Sequence, residues 1–302
     1  MSEMGSASIP VRLGLQQRVL PAYRAPFLDA LAAACPQGLS VFAGQPRPDE
    51  SIESAASLQL AQWVPARNRH LLRGGLYLCW QSGLLDWLRD WQPGALILEA
   101  NPRYLHTPAA VRWMRQQQRG PVLGWGLGAP EVRGALAGLR SSNRRRFLLQ
   151  FDALITYSQQ GAEQYHAAGF PAGRIFVARN AVAARPPSLS PGNPALERPA
   201  EFSAGRARIL FVGRLQTRKR LDLLLRACAA LPQNLQPHLT IVGDGPARSE
   251  FEQLAASLYP VAQFPGARHG ADLEPFFLSA DLFVLPGSGG LAVQQAMSYA
   301  LP

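Results

Sequence analysis

The chain has 302 residues, 47% hydrophobic and 17% charged, which is enough apolar material for two packed domains and too much for a disordered chain. Thirty basic against twenty acidic side chains leave a net charge of +10, and no apolar run approaches the roughly 18 residues that span a bilayer. The N-terminus MSEMGSASIPVRLG shows no basic-then-apolar secretory pattern, and Cys35, Cys79 and Cys228 are widely separated, so a disulfide framework and a zinc cluster are excluded and a reducing cytosol is expected.

In chain order, VRLGL (11–15), LSVFAG (39–44), ALILEA (95–100), PVLGWG (121–126), ALITYS (153–158) and RIFVAR (174–179) read as strands. Their nearly continuous apolar character favours a parallel sheet buried on both faces. Helical patterns fall between them at APFLDALAAAC (25–35), LYLCWQSGLLDWLRDW (76–91) and GAEQYHAAG (161–169). In the second of these, Trp80, Trp87 and Trp91 repeat at i, i+7 and i+11, a stripe suited to core packing. The stretch 181–206 carries five prolines, cannot continue a helix or a central strand, and reads as a linker.

Beyond it the alternation resumes. Strands are expected at 208–213, 238–243, 261–266 and 282–287, and helices at 220–231, 247–258 and 273–280. Right-handed β-α-β units follow, giving an α/β protein of two doubly wound domains facing a cleft: 1–183, a Pro-rich linker 184–206, and 207–302. Four strands fall short of the five or six of a complete half, so the second domain is expected to be incomplete and the chain truncated.

Charge is unevenly spread. Residues 1–185 carry +9 and residues 186–302 only +1. Arg112, Arg115 and Arg119, and separately Arg133, Arg140 and Arg144, recur at helical spacing beside NRRRFLL (143–149). Each stripe alone reads as a solvated helix face; together they fit contact with an anionic membrane surface. No nucleic-acid recognition motif accompanies them, so nucleic acid is not an expected partner. Against 29 arginines there is one lysine, Lys219, a residue expected where a compact ammonium is needed and a planar guanidinium does not fit.

That lysine ends the first of three glycine-bearing loops, each placed after a strand: FVGRLQTRK (211–219), IVGDGPA (241–247) and LPGSGGLAVQQAM (285–297). Ligands of parallel α/β sheets bind at the carboxyl ends of the strands, where all three would gather. Glycines admit backbone amides to a phosphate, a helix beginning near Gly290–Leu291 directs its positive end there, and Arg214 and Lys219 add full charges. In the first half, Arg18, Tyr23 and Arg24 follow the first strand and are candidates to touch a second substrate, with surface packing as the rival reading. Glu99, at a strand end, is a candidate to orient or deprotonate an acceptor hydroxyl; a structural carboxylate paired with Arg103 is the alternative. The five histidines lack metal-ligand spacing and read as surface or packing residues.

The chain resembles the family-four retaining glycosyltransferases of GT-B fold, and bacterial members in particular. The resemblance is carried by ILFVGRLQTRKRLDLLLRA, LTIVGDGP and SADLFVLPGSGGLAVQQAMSYALP within 208–302, by 151–182, and more loosely by 15–31 and 97–103. It implies transfer of a sugar from a nucleotide diphosphate sugar to a saccharide or lipid-linked acceptor, with retention of configuration. No metal and no cofactor beyond the donor substrate are implied, and no D-x-D pair is present to hold a metal. Arg214 and Lys219 match the family positions that hold the departing diphosphate. Gly213, Gly243 and Gly245 would line the nucleotide, the Phe264–Pro265–Gly266 turn would flank its base, and Gly289, Gly290 and Leu291 would meet diphosphate or sugar. Two family glutamates eight apart are replaced by Gly287 and Gln295, the latter left to hydrogen-bond a ribose hydroxyl. A family histidine is replaced in the Gly126–Leu127 region, so the mechanism leans on Arg214 and Lys219. The expected place of action is the cytoplasm, at the inner face of the membrane, building polysaccharide or glycolipid. Two other readings remain open: a non-catalytic GT-B module that binds nucleotide or glycan, and a GT-B sugar epimerase.

Overall fold

Strand β1 (Leu13–Val19) is buried along nearly its whole length although its sequence, LGLQQRV, places two glutamines and an arginine there. Such a strand must lie centrally, with its polar side chains satisfied from neighbouring elements. The computed structural model describes residues 8–50, 52–72, 74–132, 134, 136–180 and 206–302. It divides into two units after Asn180. The expected linker lies almost wholly within 181–205, outside the described residues.

In the first unit, β1 is followed by β2 (Leu39–Gly44), β3 (Gln62–Leu71), β4 (Leu78–Ser82), β5 (Ala95–Glu99), β6 (Val122–Gly126), β7 (Ala153–Thr156) and β8 (Ile175–Val177). They form one sheet in the order β4-β3-β2-β1-β5-β6-β7-β8. Every pairing is parallel except β3 with β4. Helices α1 (Ala25–Ala33), α2 (Leu84–Trp91), α3 (Thr107–Gln116), α4 (Ala137–Leu148) and α5 (Gln159–Ala167) intervene. Successive residues of a strand point to opposite faces. Accordingly Leu96 and Leu98 join Leu88, Met114 and Phe151 in one core, whereas Ala95 and Ile97 join Leu15, Leu28 and Val41 in the other.

The second unit repeats the principle with β9 (Arg208–Val212), α6 (Leu221–Ala230), β10 (His238–Val242), α7 (Arg248–Leu258), β11 (Gln263–Gly266), α8 (Glu274–Ser279), β12 (Leu282–Phe283) and α9 (Leu291–Ser298). Its four-stranded sheet is parallel throughout, in the order β11-β10-β9-β12. Phe211 and Ile241 face one core, and Leu210, Val212 and Val242 the other.

Three expectations need correction. The segment 76–91 is not one helix: Leu78–Ser82 forms β4 and Gly83, at φ +84°, turns the chain into α2. Trp80 therefore leaves the supposed stripe, and it lies on a strand with 42% of its surface exposed. Strand β3 was not anticipated, because QWVPARNRHL carries a proline and three basic side chains and alternates between exposed and half-buried positions. Its inner neighbour and its antiparallel partner supply the ordering that its own sequence does not advertise.

Strand order reverses direction at β1/β5 in the first sheet and at β9/β12 in the second. Crevices at the carboxyl ends of such reversals are where ligands of open α/β sheets bind. The second reversal is pinned by an ion pair. Asp281, just before β12, accepts from the Arg208 backbone N–H at 2.8 Å and from its guanidinium at 3.2 and 3.3 Å. Arg208 is 8% exposed, so removing Asp281 takes the carboxylate away from a buried guanidinium. Asp281→Ala is expected to cost about 3 kcal/mol, read as a lower urea midpoint at unchanged slope.

Candidate functional site

The loop after β9 contains Gly213 and Arg214 and then a 3-10 turn, Thr217–Lys219, which passes through Arg220 at φ +53° into α6. This turn carries Lys219 inward. Its side chain is 8% exposed, and Nζ donates to the carbonyls of Ser288 (2.7 Å) and Gly289 (3.1 Å) in the loop after β12. The Ser288 N–H returns a bond to the Arg218 carbonyl at 3.2 Å. Burial, together with the adjacent Arg218 charge, holds the Lys219 ammonium below its ordinary pKa. An ammonium fits this three-donor role between two carbonyls; a planar guanidinium fits it poorly.

The glycines divide into two groups. Gly243 has φ +148°, and a Cβ there would overlap the Gly213 carbonyl; at Gly245, φ +157°, it would overlap the Leu215 carbonyl. At Gly287 a Cβ would overlap the Arg218 carbonyl and lie 2.5 Å from the Lys219 carbonyl carbon. These three are required by the approach of one loop to another. Gly213 and Gly289 have room: the nearest atoms to a Cβ at Gly213 are 3.9 Å away, and at Gly289 nothing lies within 4 Å. Gly290 caps α9, which begins at Leu291, and a Cβ there would sit 3.4 Å from Lys219 Nζ. Gln295 is half-buried on the second turn of that helix. The geometry thus gathers Gly213, Arg214, Lys219, Gly289, Gly290 and Leu291 at the β9/β12 reversal. A cavity of about 400 Å³, lined by Gln216, Thr217, Arg218, Pro246, Ala247 and Glu250, opens beside them.

Phe264 and Gly266 depart from expectation. They belong to strand β11 rather than to a turn, and Phe264 is half-buried against the core containing Phe211 and Phe251. One side of the Phe264 side chain is thus packed against that core. Gly126 also has a steric origin, since a Cβ there would lie 2.5 Å from Tyr165 Oη, while the adjacent Leu127 is 80% exposed.

At the first reversal, the Arg18 backbone N–H on β1 donates to Glu99 Oε2 at the end of β5, 2.5 Å away. The Glu99 N–H in turn donates to Gln16 Oε1 at 3.1 Å. Burial raises the Glu99 pKa, against the opposing Arg18 N–H and the charges of Arg24 and Arg18. These contacts replace the anticipated pairing with Arg103, which sits exposed on the following turn. The Arg18 guanidinium binds Glu50 at 2.7 Å. Arg24 donates to Tyr157 Oη and lies over the rings of Trp125 (5.0 Å), Tyr157 (5.4 Å) and Tyr23 (5.7 Å). The Tyr157 hydroxyl is pushed up to about 12 by burial, against the Arg24 charge. Arg18, Tyr23, Arg24 and Glu99 are thus brought together. Glu50, Trp125 and Tyr157 were missed, although Tyr157 follows directly on an apolar strand run, which is the signal that would have found it.

His106 is one of the packing histidines. It is 2% exposed, its Nδ1 accepts from the Gln81 N–H at 3.2 Å, and Nε2 has no partner among the described residues. Burial pulls its pKa down to about 4. Among the described residues no group of three or more His, Cys, Asp or Glu is placed to hold a metal ion. No helix among them is long and apolar enough to cross a membrane.

Residues 206–302 match the sequence model of the family described as "Glycosyl transferases group 1". The sulfoquinovosyl transferase SQD2 of Arabidopsis thaliana is 34% identical over 97 residues, covering 31% of this chain and 18% of that protein. A GDP-mannose-dependent alpha-mannosyltransferase of Mycobacterium tuberculosis is 37% identical over 103 residues, covering 32% and 25%. The matched segment therefore spans a quarter or less of those relatives. Over nearly the whole chain the likeness is structural. HepE of Anabaena, solved with UDP, superposes with a TM-score of 0.65 at 15% identity, covering 96% of this chain and 79% of that one. A sucrose-phosphate synthase of Thermosynechococcus elongatus gives 0.65 at 17%, covering 96% and 80%. The fold is α/β, of the GT-B type.

Two measurements test this geometry. Gly287→Ala is expected to lower stability by about 1–3 kcal/mol through overpacking against backbone, whereas Gly289→Ala leaves the unfolding midpoint within error. For His106 the folded pKa lies near 4 and the unfolded value near 6.5. Below 6.5 the unfolded chain takes up a proton that the folded chain refuses, so stability falls as pH drops from 6.5 toward 4, by roughly 3 kcal/mol in all. His106→Gln, which keeps an acceptor for the Gln81 N–H, should flatten the stability profile by one proton in that window.

Proposed function

We propose that the chain is a metal-independent glycosyltransferase of the retaining kind, moving a sugar from a nucleotide diphosphate sugar to a saccharide or lipid-linked acceptor. The observation that carries this reading is the buried Lys219 ammonium at the β9/β12 reversal, beside Arg214 and the start of α9. A diphosphate leaving group needs its developing charge neutralised, and cations with backbone amides supply that without a metal. On this reading Arg214 and Lys219 hold the diphosphate, Gly213, Gly289, Gly290 and Leu291 offer amides to it, and Gln295 hydrogen-bonds a ribose hydroxyl. Gly243, Gly245 and Gly266 shape the nucleotide side. The likeness to GDP-mannose-dependent mannosyltransferases and to a protein solved with UDP supports a nucleotide-linked donor.

The Arg18–Glu99–Arg24 cluster is assigned to the acceptor, with Tyr23 at its margin. A carboxyl held above its ordinary pKa between two arginines is suited to orient an acceptor hydroxyl or share its proton. The exposed face of α4, with Arg140, Arg145 and Arg146 beside exposed Leu136 and Leu139, is assigned to an anionic membrane surface. On this reading the protein acts in the cytoplasm, at the inner face of the membrane.

One observation favours a second reading. Gly287 leaves no room for a carboxylate at the position where the resemblance implies a family glutamate, as a module that binds nucleotide without turning it over would tolerate. The two are separated by adding UDP- and GDP-sugars with acceptor glycans and following release of UDP or GDP. For the enzyme, UDP or GDP should raise the melting temperature saturably, Lys219→Ala should weaken that binding at least tenfold, and diphosphate should be released. Undiminished affinity in Lys219→Ala would remove the site; binding without release would leave the module.

A further inference from the structure

Strand β4 crosses close to the first reversal and leaves a cavity on its far side. The Gln81 side chain is tied to this reversal: Nε2 donates to the Gln17 carbonyl at 3.0 Å and to Asn68 Oδ1 at 2.8 Å, and Oε1 accepts from Gln16 Nε2 at 2.5 Å. Gln16 in turn holds the Glu99 N–H. Beside Gln81, a cavity of about 230 Å³ is lined by Trp80, Gly83, Asp86, Arg89 and His106. That is smaller than the roughly 300–1,000 Å³ of sites for drug-sized ligands, and fits a single ring rather than a nucleotide.

Its walls have a defined chemistry. Trp80 is the one tryptophan of six in the exposed class, so a large apolar ring face is left uncovered at the cavity. Asp86 and Arg89, one helical turn apart on α2, pair at 2.6 Å with side chains 75% and 60% exposed. An exposed pair of that kind adds little to folding, but it presents planar, bidentate hydrogen-bonding groups with no net charge. His106 completes the wall. Because its Nδ1 accepts from Gln81, the neutral ring carries its proton on Nε2, a buried donor with no acceptor among the described residues. That donor lies behind the cavity surface, so the groups open to a ligand are those of Trp80, Asp86 and Arg89. A neutral cavity disfavours phosphate, whereas one apolar ring face opposite several hydroxyl-binding groups matches a pyranose.

We propose that this cavity is a sugar-binding subsite, taking one neutral pyranose ring of an oligosaccharide at a distance from the bond being made. The ring's C–H face lies on Trp80, and its hydroxyls meet Asp86 and Arg89. Calling the occupant an acceptor rests on the glycosyltransferase reading; the sugar chemistry of the cavity does not.

The test is a carbohydrate array of mono- to hexasaccharides of glucose, galactose, mannose, rhamnose and N-acetylglucosamine, probed with the full chain and with variants. Wild type should retain at least one oligosaccharide more tightly than its monosaccharide. Trp80→Ala and Arg89→Ala, both exposed positions, should weaken retention at least tenfold with an unchanged melting temperature. Trp80→Phe should restore most of it, and Lys219→Ala should leave it intact. No oligosaccharide retained at millimolar concentration, or equal retention by Trp80→Ala, would overturn the subsite. Glycan retention without any binding of UDP or GDP would instead overturn the transferase reading and leave the subsite standing.

Discussion

The second unit is organised around the approach of its loops to the backbone that delivers Lys219. Gly243, Gly245 and Gly287 press directly on residues 213–219, and no side chain can be interposed at any of them. The loop after β12 can then close on Lys219 and accept its ammonium with two carbonyls. Burying a cation is unfavourable unless it is matched, and here the match consists of carbonyl dipoles rather than a carboxylate. Lys219 is therefore matched without a permanent counter-ion, which on the proposed function leaves its charge for an arriving anion.

The same topological device organises the first unit with different chemistry. At β1/β5 a carboxylate, Glu99, is held by a backbone N–H and faced by two arginines, one of which is covered by aromatic rings. Both reversals place charged groups at the carboxyl ends of strands whose flanks are otherwise sealed by apolar cores. Polarity is concentrated there because the two faces of each sheet are already committed to packing.

Much of this was legible in the amino-acid order. Unbroken apolar runs marked β2, β5, β6, β9 and β10, since a strand buried on both faces must be apolar on both. The single lysine among arginines pointed to its own role, because a compact ammonium and a planar guanidinium satisfy different acceptors. What escaped was held by tertiary contacts. Strand β3 has a proline and alternating polarity, and it is a strand because β2 and β4 pair with it. Trp80 falls at helical spacing from Trp87 and Trp91, yet Gly83 breaks the helix between them, and periodicity alone does not register a left-handed glycine. Glycines were read as openings for phosphate; three of them prove to be contacts between backbones, a distinction that only three-dimensional proximity reveals.

The need for glycine at position 287 follows from the same geometry. With Gly287 against the Arg218 carbonyl, the loop lies close enough for Ser288 and Gly289 to reach Lys219. A glutamate would have to push the loop outward and part those contacts. On the proposed function, the carbonyl grip and an arriving diphosphate compete for one ammonium, and the anion is the stronger partner because it brings full negative charge. Burial and Arg218 lower the Lys219 pKa, and a bound anion would oppose both by supplying the counter-charge that the two carbonyls do not.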